Sequence, residues 1–133
     1  MVLKKLFYKV LFISWMVFVT FSSLFSFEGM KMGSFALRIP HLDKLVHFVF
    51  YLVMFLTAFF AVKDQFLPKL KLWTVLWGVL SFTIIYGMII EVLQYTLTVN
   101  RQGDIMDALA NSMGAIVGLM LTKGLIYKGG SLK

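Results

Sequence analysis

The chain contains no cysteine, which excludes disulfides, thiolate metal ligands and a cysteine nucleophile and leaves the redox compartment open. Charge is scarce as well. Asp, Glu, Lys and Arg make up 14% of the 133 residues, where an ordinary soluble domain carries roughly a quarter. Acids are the rarest of these, six against thirteen bases, so where the few carboxylates fall becomes informative. The two prolines, Pro40 and Pro68, sit in connecting segments or the first turn of a helix, where a missing N–H costs nothing. There is no His-Glu-x-x-His pattern, no serine-nucleophile motif, no internal repeat and no low-complexity linker. Nor do basic and aromatic residues interleave outside the apolar runs, which argues against nucleic acid as a partner.

What the chain has in quantity is hydrocarbon. Hydrophobic residues reach 60%, with a mean hydropathy of +0.88. A soluble domain of this length cannot hide that much apolar surface, so the class is integral membrane protein. Four apolar runs predict a single domain over residues 1–133, with helices at about 8–27, 42–62, 71–98 and 104–123. Each is close to the roughly 17–25 residues that a spanning helix needs. The first run follows Lys4, Lys5 and Lys9 as a signal peptide would. Its apolar part exceeds the roughly 7–15 residues of a signal core, and Ser23 to Phe27 is a poor cleavage site, so it reads as a retained helix.

Lys and Arg counts set the expected topology. Nine bases lie before helix one, between helices two and three, and after helix four; four lie in the other two loops. Both termini are therefore expected in the cytoplasm. Five of the six acids, Asp64 excepted, fall on the opposite face. The positive net charge is thus a topology signal. The expected fold class is an all-α, four-helix integral membrane bundle in the cytoplasmic membrane. The short connections make helices two and three, and three and four, antiparallel neighbours.

At 100° per residue the polar residues form stripes. On helix four, Asp104, Asp107, Asn111, Gly114 and Gly118 fall within about 80° of one another. Gly114-x-x-x-Gly118 is a small-residue pattern that lets another helix approach closely in lipid, and close packing of helices three and four is expected. On helix three, Gly87, Glu91, Gln94 and Thr98 align; on helix two, Asp43, His47 and Tyr51 do. All three stripes are polar towards the outer face and can converge on one pocket there. Plainer readings stand beside this one. His47 can be an interfacial hydrogen-bonding residue, and Glu91 with Arg101 a structural ion pair pinning the third loop. Asp104 and Asp107 suit the positive end of the helix dipole, and the glycines suit packing. Capping does not account for Asn111 a turn further in.

Taken in order, Asp43-Lys44-x-x-His47-Phe48, Glu91-x-x-Gln94 and Arg101-x-x-Asp104-x-x-Asp107-x-x-x-Asn111-x-x-Gly114 resemble the VanZ-like family of small membrane proteins over roughly Ser22 to Gly118. Thr98-Val99-Asn100 lacks the proline often found just before the family's arginine. The resemblance implies a four- or five-helix protein, and the family's founding member is linked to low-level resistance to the glycopeptide teicoplanin.

Two functions follow as expectations. In the first, a cell-envelope protein uses Asp43, His47, Glu91, Gln94, Arg101, Asp104, Asp107 and Asn111 to bind a lipid-linked cell-wall intermediate, a lipid head group or a glycopeptide, with no cofactor. Arg101, Lys44 and a protonated His47 would meet phosphate or carboxylate, against a local excess of acids. In the alternative, an intramembrane metal-assisted hydrolase takes His47, Glu91 and Asp107 as ligands, a set suited to a hard or intermediate divalent ion, or uses Glu91 as the general base. Proton-coupled transport through Glu91 and Asp107 lacks partners in the inner half.

Overall fold

A computed structural model describes residues 1–25, 41–97 and 104–128. Its elements are α1 (Val2–Leu24), α2 (Leu42–Phe66), α3 (Leu72–Leu97) and α4 (Ile105–Lys128), with no strand among the described residues. All four are long and apolar enough to cross a membrane. Pro40, Thr98, Arg101 and most of the first loop lie outside the described residues.

The helices outrun the apolar stretches that announce them. α1 begins at Val2 rather than near residue 8, taking in Lys4, Lys5 and Lys9; α2 continues through Lys63, Asp64 and Gln65; α4 continues past Lys123. Lysine and glutamine are good helix formers, and lysine stems lie along apolar surface while the ammonium reaches water. Hydrophobicity therefore stops where the hydrocarbon is expected to stop, whereas the backbone hydrogen bonding does not.

α2 is the hub, touching α1, α3 and α4, and its contact with α4 is the most extensive in the molecule. The main core joins Phe55, Ala58 and Phe59 of α2 to Val75, Leu76, Val79 and Leu80 of α3 and to Ala115 and Leu119 of α4. A smaller cluster joins Val19 of α1 to Tyr51 and Met54 of α2. Many other large apolar side chains, such as Trp77, Ile85, Met113 and Met120, are exposed. On a soluble protein so much exposed apolar surface would drive association; here it is the surface that faces lipid.

The glycines of α4 correct the expected packing. A Cβ at Gly114 would overlap the Phe48 carbonyl oxygen, and one at Gly118 would lie 2.9 Å from Phe55 Cβ. Both partners belong to α2, not α3. The short third loop makes α3 a neighbour of α4, and the two do touch. The closest approach, however, goes to whichever helix the glycine face meets, and that is α2. On α3, Gly87 has a comparable role: a Cβ there would sit 2.9 Å from Tyr51 Cε1 and 3.3 Å from Asn111 Cβ.

α1 is the loosest member, with Val19 and Ser23 its only buried residues. It is held by polar ties. Trp15 Nε1 donates to the Phe50 carbonyl at 2.9 Å, Thr20 Oγ1 and the Tyr86 hydroxyl share a hydrogen bond, and Gln94 Nε2 donates to the Ser23 carbonyl at 2.7 Å.

Candidate polar site at one end of the bundle

The end of the bundle that holds the C-termini of α1 and α3 and the N-termini of α2 and α4 carries a layered polar cluster. The upper layer is ionic. Lys44 Nζ lies 2.9 Å from Asp104 Oδ2, 3.2 Å from Asp107 Oδ1 and 3.1 Å from Asp43 Oδ2. Asp43 and Asp104 are largely open at the rim, whereas Asp107 is mostly covered. Asp104 also caps α4, its Oδ1 accepting from the Met106 N–H at 2.9 Å, as helix N-terminal donors require. The Lys44 ammonium, and then that backbone N–H, hold the Asp104 carboxyl below its usual range.

A turn further in lies a layer that is nearly dry. His47, Glu91 and Asn111 are each buried, on three different helices, at about 8–9 Å from the respective helix ends. Asn111 Nδ2 donates to Glu91 Oε1 at 3.1 Å. The same amide therefore turns its oxygen to His47, and Nδ1 of the ring donates to Asn111 Oδ1 at 3.0 Å. The amide oxygen can only accept, so Nδ1 carries a hydrogen, and the ring aims Nε2 at Asp107, whose Oδ2 is 3.9 Å away. Asn111 thus orients both an imidazole and a carboxylate. Spacing explains two of the three: His47 follows Lys44 by three residues and Asn111 follows Asp107 by four, so these two lie under ionic-layer residues of their own helices.

Two polar atoms in this layer have no hydrogen-bond partner among the described residues, Glu91 Oε2 and the Tyr51 hydroxyl. Tyr51 is fully buried one turn below His47 on α2, and Glu91 is 8% exposed. Buried polar atoms in native structures are nearly always paired, so these two are open valences at the floor of the cluster.

The residues singled out in the sequence are placed as follows. His47, Glu91, Asp107 and Asn111 come together. Asp43 and Asp104 stand at the rim. Gln94 is buried but directs its amide nitrogen to α1. Arg101 lies outside the described residues. Lys44, which carries the ionic layer, was legible as the neighbour of Asp43 on nearly the His47 face. Tyr51 was legible as the next step of the same stripe. As a metal site the set is poorly disposed. Glu91 Oε1, 3.5 Å from Nδ1, and Asp107 Oδ2 address opposite nitrogens of the ring. Among the described residues no three His, Asp or Glu groups converge as metal ligands would.

A family model described as VanZ/LLP1 matches residues 4–127. No curated protein and no solved structure matches the chain. The family match runs through all four helices and every residue of the polar cluster, and the chain belongs to the VanZ/LLP1 family.

Proposed function

We propose that the polar cluster is a ligand site in the cell envelope, receiving the sugar-peptide portion of a lipid-linked cell-wall intermediate or of a glycopeptide. The observation that carries this is the pair of unpartnered buried atoms, Glu91 Oε2 and the Tyr51 hydroxyl, beneath an ionic rim. Lys44 already has three carboxylates around it, so among the described residues the free capacity belongs to an acceptor and a hydroxyl. Such a site suits hydroxyl, amide or ammonium donors, which both ligand classes carry in abundance, better than a bare phosphate. Its facing outward rests on the distribution of Lys and Arg. Glycopeptide tolerance, the phenotype linked to the family's founding member, is the biological consequence this reading carries. The metal-ligand form of the hydrolase alternative is disfavoured by the two carboxylates flanking His47 rather than sharing one side of it.

The test is a melting experiment on detergent-purified protein with teicoplanin, and separately with a lipid-linked cell-wall precursor. A ligand that binds only the folded state stabilises it by about 2.7 kcal/mol at a hundred times its Kd. The wild type should melt higher with at least one of the two, and Glu91→Gln should lose that increment whatever its own baseline. If neither ligand raises the melting temperature, or both raise that of Glu91→Gln as much as that of the wild type, the cluster is a structural network only.

A further inference from the structure

At the opposite end of the bundle lies an apolar groove of about 450 Å³ between α1, α2 and α3. Phe12 of α1, Ala58 and Val62 of α2, Leu70 of the turn, and Gly78 and Phe82 of α3 define its walls. We infer that this groove holds one acyl chain of an anionic phospholipid, whose head group is met by Lys69 and Lys71. Three observations point there.

The first is reach. From the start of α3 at Leu72 to Phe82 the lining runs about 15 Å at 1.5 Å per residue, the depth of a single leaflet, whose hydrocarbon is roughly 15 Å thick. The second is charge. Lys69 and Lys71 flank Leu70 at the mouth, both are exposed, and neither has an ionic partner among the described residues, whereas Lys63 is bonded to Asp64. Trp73, half exposed beside Lys71, is the kind of residue that sits at head-group depth. The third is the glycine. A Cβ added at Gly78 meets nothing within 4 Å, so neither helix contact nor backbone crowding explains the open space beside it. A flexible chain supplied by the membrane fills such a space, and a basic mouth selects the anionic member of the bilayer.

Native mass spectrometry of the full chain, released from a membrane of phosphatidylglycerol and phosphatidylcholine with matched chains, tests this. One phosphatidylglycerol should be retained in preference to phosphatidylcholine. Basic residues near a membrane surface contribute about 1 kcal/mol each, so each lysine should account for roughly a fivefold preference. Gly78→Leu should fill the groove and bring retention down to background. Thr74→Phe, on the same wall, does the same if Gly78→Leu melts abnormally. Lys69→Gln with Lys71→Gln should keep a bound lipid but lose the preference. Equal retention of the two lipids by the wild type overturns the inference, as does full retention by both groove-filling variants. A double-lysine variant that keeps the preference also overturns it, and so does a lipid-free dimer that Gly78→Leu disrupts.

Discussion

Asn111 is the residue on which the buried layer turns, because its amide serves an imidazole on one side and a carboxylate on the other. Asn111→Ala removes both bonds at once. Leaving buried partners unpaired costs on the order of 1–3 kcal/mol, and the purified variant should melt lower accordingly. Asn111→Asp keeps the shape but sets a second carboxylate against Glu91, and should melt lower still above the range where acids are neutral. A variant that melts with the wild type would show that the amide is idle. Glycines give a second residue-scale test. Gly114→Ala drives a methyl into the Phe48 backbone carbonyl, which cannot rotate away. Overpacking of that kind costs roughly 1–3 kcal/mol or more. Gly124 has open space, and Ala there should be neutral or stabilising by up to about 1 kcal/mol. Equal melting of the two alanine variants would contradict the close α2–α4 contact. Much of this was visible in the sequence, since polar residues in a greasy chain announce themselves and their spacing puts them on one face. What spacing does not carry is which cation meets which carboxylate. Lys44 holds Asp104 and Asp107 because the first turn of α2 faces the first turn of α4, a pairing that no spacing within one helix records. Arg101, the expected partner of Glu91, lies outside the described residues.

Helices were legible as apolar runs, and α2 with α3 and α3 with α4 as neighbours, but the start of α1, the C-terminal ends of α2 and α4 and the extensive α2–α4 pairing were not. Periodicity records which face of a helix is small or polar and is silent about which neighbour that face meets. The Gly114–Gly118 face was therefore seen, and its partner α2 was not. Likewise the ends of α1 and α2 passed beyond the hydrophobic windows because lysine and glutamine continue a helix that hydropathy has abandoned, and α4 resumes an apolar run beyond Lys123. The looseness of α1 is an element-scale feature with a test, and the absence of native cysteine makes it clean. Tyr8 stacks on Phe60 with ring centroids 5.4 Å apart, and Trp15 meets Phe50 at 5.9 Å. Cysteine pairs at 8 and 60, and at 15 and 50, should be bridged in membranes by a short bifunctional thiol reagent, whereas a pair at 8 and 120 should not, since α1 shares no extensive contact with α4. Cross-linking of 8 with 120 would mean that α1 packs elsewhere. Glu91→Leu, by removing a buried acid from α3, should disturb the α2–α3–α4 core and leave the 8–60 cross-link in place.

At the scale of the whole molecule an ionic rim, a buried layer of ionisable side chains and an apolar trunk form one bundle, with that buried layer at one end. The base distribution predicts that this end faces outward, and a reporter fused after Lys133 should accordingly behave as cytoplasmic; an external Lys133 would turn the site inward and remove any encounter with an extracellular glycopeptide. The central claim is that the charge of the cluster does something besides holding the bundle together. Asp107 offers the most direct test, because it touches Lys44 and faces His47 Nε2 while remaining partly open to the rim. Asp107→Asn keeps the size and one acceptor oxygen but removes the charge. The measurement is growth in teicoplanin of a strain carrying Asp107→Asn in place of the wild-type protein, with the melting temperature of the purified variant as the control for folding. The predicted result is lost tolerance in a variant that still melts cooperatively within a few degrees of the wild type. Undiminished tolerance in a folded Asp107→Asn protein would contradict the account.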